Sequence, residues 1–403
     1  PIQILQQINE RNDHKLNNLY TTRTWAEIDL DAIAFNMKNI LSITSPAAKI
    51  MCVVKADAYG HGFFEAAKTM HENGADAFAV ATFEEAKLLR DKGFDEVILI
   101  LGRVDEIFAK DMINLGISAT VCDEEFAKAL SDAAVSMNKK ARIHIKLDTG
   151  MSRIGFDCEA DDVEKITKIC SMPNMIAEGI FSHFACADEP DSKMSEKQFS
   201  AFQSMIHALN VRGIHFEYAH ICNSAGIMEF PAYHLTMVRP GIILYGCYPS
   251  EAVHKERLSL RPAMTVKARI TRIDTKPAGT KVSYGATYTT KQEEKIATVS
   301  IGYADGYFRS LSDNAYMSVS GVKVPVVGRI CMDQCMIDVS SVNNITVGDE
   351  VTVFRNGGDN SETATSLAAR AGTINYEILC AVGNRTPRIY VRNGEIIDVL
   401  TYL

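Results

Sequence analysis

Several apolar segments of this 403-residue chain end on side chains that can form covalent bonds, move protons or bind anions. The first is "VVKADAYGHG", residues 53–62, in which two valines lead directly to Lys55 and Tyr59 follows four residues later. A lysine is rarely buried in full without a partner, so Lys55 could simply reach water from the end of a strand. Alternatively, its amine forms a covalent bond with a carbonyl compound.

Four later segments end in the same way. They carry Lys146, Asp148 and Arg153 in "KLDTGMSRIGF", then His183, then His220, Asn223 and Ser224 in "HICNSAG", then Arg239 and Gly241 in "MVRPGIILYG". Taken singly, each residue has a structural explanation, and "NSAG" is also an ordinary helix N-cap. Cations and imidazoles that gather at one place would favour an anionic ligand, with phosphate and carboxylate groups. No Gly-x-Gly-x-x-Gly or Walker motif occurs, so a nucleotide is not the first candidate.

The segments between residues 50 and 246 predict the elements that would gather these side chains. Strand-like runs alternate with helical patterns such as "FEEAKLLRDKG" and "DEEFAKALSDAAVSMN". The runs cover 50–56, 77–82, 97–102, 117–122, 141–147, 175–184, 216–222 and 237–246. Eight strands, most followed by a helix, are typical of a (β/α)8 barrel, whose active sites lie at the C-terminal ends of the strands. An open doubly wound sheet is the alternative, but it usually has fewer strands.

Beyond residue 257 short strands dominate, separated by turns rich in Gly, Asn and Pro, with one helix candidate in "SETATSLAARAG". We therefore predict an α/β chain in which a (β/α)8 barrel is followed by a mostly β C-terminal domain. The predicted parts are an N-terminal tail over 1–24, the barrel over 25–256 and the β domain over 257–403. A strand near 25–29 could pair with the β domain instead of the barrel.

Composition excludes several classes of protein. The net charge of −8 argues against a nucleic-acid-binding protein, whose surface would be basic. No apolar run approaches the length of about 18 residues that a membrane helix needs, and the first twenty residues lack the apolar core of a signal peptide. The ten cysteines include no Cys-x-x-Cys pair. This favours reduced thiols in the cytoplasm over disulfides or a metal site.

Eight segments together resemble the motif set of the alanine racemases, in the order of that family. They are "VVKADAYGHG", "KLDTGMSRIGF", "FSHFACADEPD", "HICNSAG", "MVRPGIILYG", "KVSYGATY", "SIGYADGYFR" and "VGRICMDQCMIDV". Other barrel-type enzymes carry a lysine motif like the first, whereas "KVSYGATY" and "CMD" narrow the resemblance to racemases. The resemblance spans Trp25 to Arg388. It implies a pyridoxal 5'-phosphate (PLP) enzyme with a barrel and a C-terminal β domain.

The resemblance implies two catalytic residues. Lys55 would hold PLP as a Schiff base and, once the substrate displaces it, would move the α-proton on one face of the substrate. Tyr284 would be the acid and base on the opposite face, because racemisation removes a proton on one side and returns it on the other. The family places this tyrosine in the partner subunit, which implies a homodimer with shared active sites.

The resemblance also implies the groups that hold the cofactor. Arg239 would face the pyridine nitrogen, oriented by His220, and would keep that nitrogen unprotonated because an arginine does not readily release its proton. His183 would stack against the pyridine ring. The phosphate would be held by Tyr59, Ser224 and the backbone N–H groups of Gly241 and Ile242.

The substrate carboxylate would bind Arg153 together with the main chain of the partner's Met332. Lys146 matches a position that is often carbamylated in this family, where the new carboxylate would brace Arg153. Four residues match the entrance of the site, although ordinary loop ion pairs would explain them as well. These are Asp188, Arg309, Arg329 and Asp333.

The sequence departs from the family in "CAVGNRTPR", where Asn384 stands in place of a tyrosine that crowds the substrate side chain. The shorter amide opens space beside the substrate β-carbon and offers a donor and an acceptor to a hydroxyl group. The same asparagine occurs in the serine racemases associated with vancomycin resistance. We therefore expect activity on serine as well as alanine, with D-amino acids supplied to peptidoglycan precursors. The alternative is that water fills the space and alanine stays preferred.

Other functions remain open at this point. One is a serine-preferring racemase domain of a membrane-bound vancomycin-resistance protein, which the initial Pro and the polar N-terminal segment would permit without showing it. Another is a PLP-dependent amino-acid decarboxylase, which would have no need of Tyr284. A third is a non-catalytic PLP-binding protein. A Schiff-base aldolase that uses Lys146 would leave the phosphate-binding residues unexplained.

Overall fold

The structure is a computed structural model that describes residues 19–189, 193–355 and 361–402. Most of the predicted N-terminal tail, residues 1–18, lies outside the described residues. The chain divides into two compact units. Of the described residues, the barrel unit comprises those within Ile33–Ala58 and Phe63–Leu260, and the β unit comprises those from residue 19 to Ala32, Tyr59–Gly62 and those from Arg261 onwards.

The described residues form the following strands and helices. The strands are β1 (Thr24–Asp29), β2 (Lys49–Val53), β3 (Ala77–Val80), β4 (Val97–Ile100), β5 (Ser118–Val121), β6 (Ala141–Lys146), β7 (Met175–Phe181), β8 (Tyr218–His220), β9 (Met237–Val238), β10 (Met264–Lys276), β11 (Lys281–Val282), β12 (Tyr288–Thr289), β13 (Glu294–Val299), β14 (Tyr316–Val319), β15 (Val322–Pro325), β16 (Cys335–Asp338), β17 (Glu350–Phe354), β18 (Arg388–Arg392) and β19 (Glu395–Leu400). The helices are α1 (Leu30–Ile43), α2 (Lys55–Gly60), α3 (Phe63–Glu72), α4 (Phe83–Asp91), α5 (Ala109–Leu115), α6 (Glu124–Ser136), α7 (Ala160–Cys170), α8 (Met194–Val211), α9 (Ser224–Glu229), α10 (Ala364–Ala371) and α11 (Asn375–Cys380).

Strands β2 to β9 form one parallel sheet in the order β8-β7-β6-β5-β4-β3-β2-β9. The two ends of this order, β8 and β9, also lie beside each other. The Thr236 N–H donates to Ala219 O at 3.3 Å, and the Arg239 N–H donates to Cys222 O at 3.0 Å. Every residue of β3 and β5 is buried, as expected for strands covered on both faces. The predicted barrel is confirmed.

Local sequence sets where the barrel helices begin. Thr82 caps α4 in a capping box with Glu85, and the Asp123 side chain accepts a hydrogen bond from Phe126 N at the start of α6. Both residues precede apolar positions at helical spacing, so they satisfy first-turn donors where the helix must start.

Within the described residues, no helix combines the length and apolar character needed to cross a bilayer.

All eight barrel strands end earlier than predicted, and the differences at the first and the last move candidate site residues out of a strand. The prediction of a strand over 237–246 is wrong after Val238, because Pro240 has no N–H for a ladder and Ile242–Tyr245 turns as a 3-10 helix. The strand predicted over 50–56 ends at Val53, and Lys55 opens α2. Lys55 therefore belongs to the connection after the strand.

The β unit contains a nine-stranded sheet in the order β15-β14-β17-β10-β1-β18-β19, with β13 and β16 attached through β10. Strand β1 pairs antiparallel with β10 and parallel with β18. The mostly β domain expected from the sequence is confirmed. Helix α10 lies within the predicted segment and is capped by Thr363. Helix α11, which has six residues and no side-chain cap bond, was not predicted.

Candidate active site

Lys55 opens a turn of unusual hand. The next four residues have φ angles between 53° and 54°, so α2 is a left-handed turn. They are Ala56, Asp57, Ala58 and Tyr59. Left-handed helical backbone costs residues with a Cβ roughly 1–2 kcal/mol each. In the barrel unit, Ala56 N donates to Glu85 Oε1 at 2.7 Å, and Phe63 N donates to Asp57 Oδ1 at 2.9 Å. Strain of this kind is characteristic of functional sites.

Arg239 is a buried cation at the end of the barrel, with 3% of its surface exposed. Its guanidinium donates to His220 Nδ1 at 2.6 Å and to Ser182 O at 2.7 Å, and it lies 3.2 Å from His183 Nδ1. Among the described residues no carboxylate forms an ion pair with it. Burial lowers the pKa of Arg239 to about 10, so it is still protonated at neutral pH. A buried cation in this state fits a ligand that presents an acceptor.

The two imidazoles beside Arg239 are neutral at neutral pH. Burial lowers the pKa of His183 and of His220 well below the usual value, and the positive charge of Arg239 lowers both further. His220 stacks on Phe181, with ring centroids 5.0 Å apart and planes 6° apart. A neutral His220 can accept the hydrogen bond from Arg239 and so fix the orientation of the guanidinium.

Ser224 and Gly241 form a contact suited to a phosphate group. Gly241 N donates to Ser224 Oγ at 2.9 Å. Asn223 caps α9 by accepting from Gly226 N at 3.0 Å, which confirms the predicted N-cap. Ile242 follows Gly241 as the first residue of a buried 3-10 helix. The structure therefore brings Ser224 and Gly241, which lie on different segments, within hydrogen-bond distance, and Ile242 follows directly after Gly241.

Lys146 lies buried at the end of β6. Its Nζ donates to Leu147 O at 2.6 Å and to Ile154 O at 3.1 Å, and lies 5.6 Å from the centre of the Phe181 ring. Burial lowers the pKa of Lys146 to about 8; Asp148 opposes this shift, and the charge of Arg239 adds to it. A fraction of this amine is therefore neutral near pH 7.

Asp148 shapes the loop that carries Arg153. Its carboxylate accepts from the backbone N–H groups of Gly150 at 2.9 Å, Ser152 at 3.0 Å and Arg153 at 2.7 Å. Burial opposes ionisation, but these three donors hold the pKa of Asp148 below its usual value. The turn leaves Arg153 exposed, where its guanidinium could bind a carboxylate.

In the β unit, Tyr284 lies on a strained turn. Ser283, Gly285 and Ala286 have φ angles of 65°, 70° and 49°. Ser283 Oγ donates to Arg329 O at 2.5 Å, and a Cβ at Gly285 would lie 2.9 Å from Arg329 Nη1. The turn therefore needs glycine at 285 both for its φ angle and for space.

Tyr284 and Met332 line one open cleft of the β unit, although 48 positions separate them in the sequence. Tyr284 is 68% exposed and Met332 is 53% exposed. Asp333 lines the same cleft. Two large side chains exposed in one cleft form a surface that a ligand or another protein could cover.

Tyr59 and Asn384 belong to the β unit as well. The Tyr59 ring is buried and lies 6.1 Å from that of Tyr376. Asn384 is exposed on the turn between α11 and β18. Buried Arg388 holds this turn by donating to Val382 O at 2.6 Å, Gly383 O at 2.8 Å, Thr386 O at 2.5 Å and Gly60 O at 3.0 Å. Sequence reasoning missed this role of Arg388, although it ends the Arg-x-Pro-Arg element.

The four predicted entrance residues have different surroundings. Asp333 Oδ1 accepts from Arg385 Nη2 at 2.8 Å, which is the loop ion pair of the simpler interpretation. Arg309 is exposed. Asp188 lies in the barrel unit, where its carbonyl accepts from Ser250 Oγ at 3.2 Å. No group of three or more His, Cys, Asp or Glu side chains in the described part of the chain could hold a metal ion.

These groups fit PLP: a lysine for its aldehyde, a buried arginine for its ring nitrogen and a Ser224–Gly241 contact for its phosphate. A barrel with these groups defines the class of barrel-type PLP enzymes, whose cofactor lysine follows a barrel strand. Two family models match the chain, that of the alanine racemase N-terminal domain over residues 28–249 and that of the C-terminal domain over 263–390. The chain belongs to the alanine racemase family, whose members use PLP as their cofactor.

Individual relatives agree with this assignment. An alanine racemase of Methanococcus maripaludis is 50% identical over 91% of this chain and 98% of its own length. An alanine racemase of Clostridium perfringens is 47% identical over 94% of this chain and 98% of its own. Among solved structures, the alanine racemase of Clostridium difficile 630 superposes with a TM-score of 0.92 at 42% identity, covering 95% of this chain and 99% of the other. That of Bacillus anthracis with bound L-Ala-P has a TM-score of 0.89 at 36% identity, covering 95% and 98%.

Proposed function

We propose that the chain interconverts L- and D-alanine by two proton transfers on opposite faces of the α-carbon. Lys55 Nζ would bind the cofactor covalently and then accept or return the α-proton on one face, and Tyr284 Oη would do so on the other. PLP supplies the electron sink that lets the α-carbon lose its proton. The observation that carries this proposal is the strained backbone beside both residues, with positive φ angles at 56–59 after Lys55 and at Ser283, Gly285 and Ala286 around Tyr284.

Arg239 and Arg153 have non-reacting roles in this proposal. With a pKa of about 10, Arg239 keeps its proton and would donate a hydrogen bond to the ring nitrogen of PLP. An unprotonated ring nitrogen withdraws electrons less strongly, which restrains side reactions such as transamination. Arg153, exposed on the Asp148 loop, would bind the substrate carboxylate.

The experiment that tests this function is the reaction of L-alanine in D2O with the PLP-loaded protein. Racemisation by the proposed route replaces the α-hydrogen by deuterium and releases no CO2. Release of CO2 would identify a decarboxylase instead. A PLP-loaded protein that catalyses neither reaction would be a binding protein, and the proposal would be wrong.

We also propose a homodimer in which the partner supplies Tyr284 and Met332. The support is the exposure of both side chains in one cleft, because a proton-transfer group works best away from bulk water. Mixing Lys55→Ala and Tyr284→Phe subunits tests it, since a hybrid dimer would contain one intact site. Random mixing should restore about a quarter of the wild-type activity. If no activity returns while hybrid dimers form, Tyr284 acts in its own subunit.

Asn384 supports the proposal that serine is a second substrate. Its amide is exposed on the turn held by Arg388 and could donate to or accept from a substrate hydroxyl. Asn384→Tyr should lower kcat/KM for L-serine about tenfold relative to that for L-alanine, because the ring removes both the space and the amide. Equal losses on the two substrates would contradict the specificity argument. A cytoplasmic location and a supply of D-alanine for peptidoglycan remain predictions.

A further inference from the structure

A line of buried polar side chains leads from Arg239 into the interior of the barrel unit. Arg239 Nη1 lies 2.6 Å from His220 Nδ1, and His220 Nε2 lies 3.0 Å from His144 Nδ1. The other nitrogen of His144, Nε2, lies 3.3 Å from Glu178 Oε1, outside good hydrogen-bond geometry. All four side chains are buried. These contacts therefore connect Arg239, at the strand ends, with the carboxylate of Glu178, deeper in the barrel.

The backbone around Glu178 contains a β-bulge that helps to place its carboxylate beside His144. Strand β6 pairs with β7 so that Ile143 faces Ala177 and His144 faces Gly179, which leaves Glu178 as an extra residue. Such a bulge changes the direction of a side chain. A Cβ at Gly179 would overlap the His144 ring, so this position needs glycine. The bulge and the glycine together make room for an imidazole beside a buried carboxylate.

Aromatic rings hold both imidazoles in place. Tyr218 stacks on His144, with centroids 5.9 Å apart and planes 10° apart. Phe181 stacks on His220 and lies 5.4 Å from the Arg239 guanidinium carbon. Neither imidazole can therefore turn freely to exchange its hydrogen-bond partners.

The chemistry of the two ends fixes the direction of the hydrogen bonds. A guanidinium can only donate and an ionised carboxylate can only accept. Glu178 also accepts from Arg142 Nη1 at 2.7 Å and from Ser118. Burial opposes its ionisation, but His144, Ser118 and Arg142 hold the pKa of Glu178 below its usual value. The arrangement that satisfies both ends leaves Nδ1 bare and Nε2 protonated on His144 and on His220.

We propose that Glu178 is a positioning residue for Arg239 and acts through His144 and His220. The carboxylate selects the tautomer of each ring, so that His220 always presents an acceptor to the guanidinium. Without it, the rings could adopt the opposite tautomers, and the Nδ1–H of His220 would then oppose a donor of Arg239. The consequence for catalysis rests on the proposed function, in which Arg239 faces the PLP ring nitrogen.

The tautomers can be measured directly by 15N NMR of the wild-type protein labelled at histidine. We expect bare Nδ1 and protonated Nε2 for both rings, with the signals assigned through His144→Gln and His220→Gln. Glu178→Gln should produce a mixture of tautomers, because an amide both donates and accepts. A protonated Nδ1 on either ring of the wild-type protein would overturn the proposal. This measurement does not depend on racemase activity.

Kinetics then test the consequence for Arg239. Glu178→Gln should lower kcat for alanine about tenfold, because a reversed tautomer of His220 would remove its hydrogen bond with the charged guanidinium of Arg239. It should change KM much less, and it should alter the visible absorbance of bound PLP. The matched control is Glu229→Gln, which removes another buried carboxylate of the barrel unit, bonded to His254 Nδ1 at 2.6 Å and to Arg257 Nη1 at 2.9 Å.

The two variants separate positioning from stability. The proposal holds if Glu178→Gln alone changes kcat and the PLP absorbance while both variants lose similar thermal stability. It is wrong if Glu178→Gln and Glu229→Gln lower activity equally with unchanged absorbance, since Glu178 would then act on stability only. If the wild-type protein does not racemise alanine, the proposed function fails while the NMR result still decides the tautomers.

Discussion

The barrel unit and the β unit present their candidate site residues in opposite ways. In the barrel unit, Arg239, His220 and Lys146 are buried, and neighbouring side chains and carbonyls fix their orientation. In the β unit, Tyr284 and Met332 stand exposed in a cleft. A cofactor needs a binding site organised in advance, whereas an exposed tyrosine becomes a defined acid only after another surface covers it. The difference supports the proposal that each unit contributes a different half of the chemistry.

The largest effect should come from Lys55→Ala, which would remove the proposed covalent contact of the barrel unit with PLP. We expect a loss of activity of about 10³-fold or more. The visible absorbance of lysine-bound PLP should disappear at the same time. Absorbance spectra and racemisation assays check both. Turnover that survives this change would exclude Lys55 from the mechanism. It would also contradict the proposed division of roles between the two units.

Tyr284→Phe should affect activity without affecting cofactor binding. Loss of one acid–base group costs about 10²–10⁴-fold, and the PLP spectrum should match that of the wild-type protein. Deuterium incorporation from D2O should slow for one enantiomer more than for the other. The control is Tyr288→Phe, since Tyr288 donates to Glu294 at 2.8 Å in the same segment and has no proposed role in the site. An equal loss in both variants would show that Tyr284 serves the fold rather than the reaction.

A smaller effect concerns the modification of Lys146 proposed from the family. The amine must be neutral to attack CO2, forming an N–C bond and releasing a proton. Because burial lowers the pKa of Lys146 to about 8, the neutral fraction should rise as pH increases from 7 to 9. A carbamate signal in 13C NMR with labelled bicarbonate should rise over the same range and vanish in Lys146→Gln. A signal that persists in the variant belongs to another amine.

The sequence predicted those features that depend on local patterns. Apolar runs alternating with helical segments gave the eight barrel strands, and "NSAG" gave the cap of α9. It could not predict contacts that depend on register. Glu178 reads as an ordinary polar position in "MIAEGIFSHF", and only the bulge against β6 turns it toward His144. The strand predicted over 237–246 failed because Pro240 interrupts an otherwise apolar run.

The residues of the candidate site were likewise predicted only in part from the sequence. Side-chain identity was enough to nominate Lys55, Arg239 and Tyr284, because motifs fix residue types. The role of Arg388 was missed, since its four acceptors are backbone carbonyls, which no side-chain pattern reveals. Exposure was equally hidden: nothing in "KVSYGATY" distinguishes a buried tyrosine from one that is 68% exposed.

The left-handed turn after Lys55 has a consequence for how the protein matures. Four consecutive residues with a Cβ hold positive φ angles there, whereas glycine would do so without steric cost. An unfolded chain therefore has no tendency to form this turn by itself, and it forms only when Glu85 and its neighbours are in place. We therefore expect Lys55 to reach this geometry only together with the barrel around it. If Lys55 binds the cofactor as proposed, capture of the cofactor would require the turn to be formed.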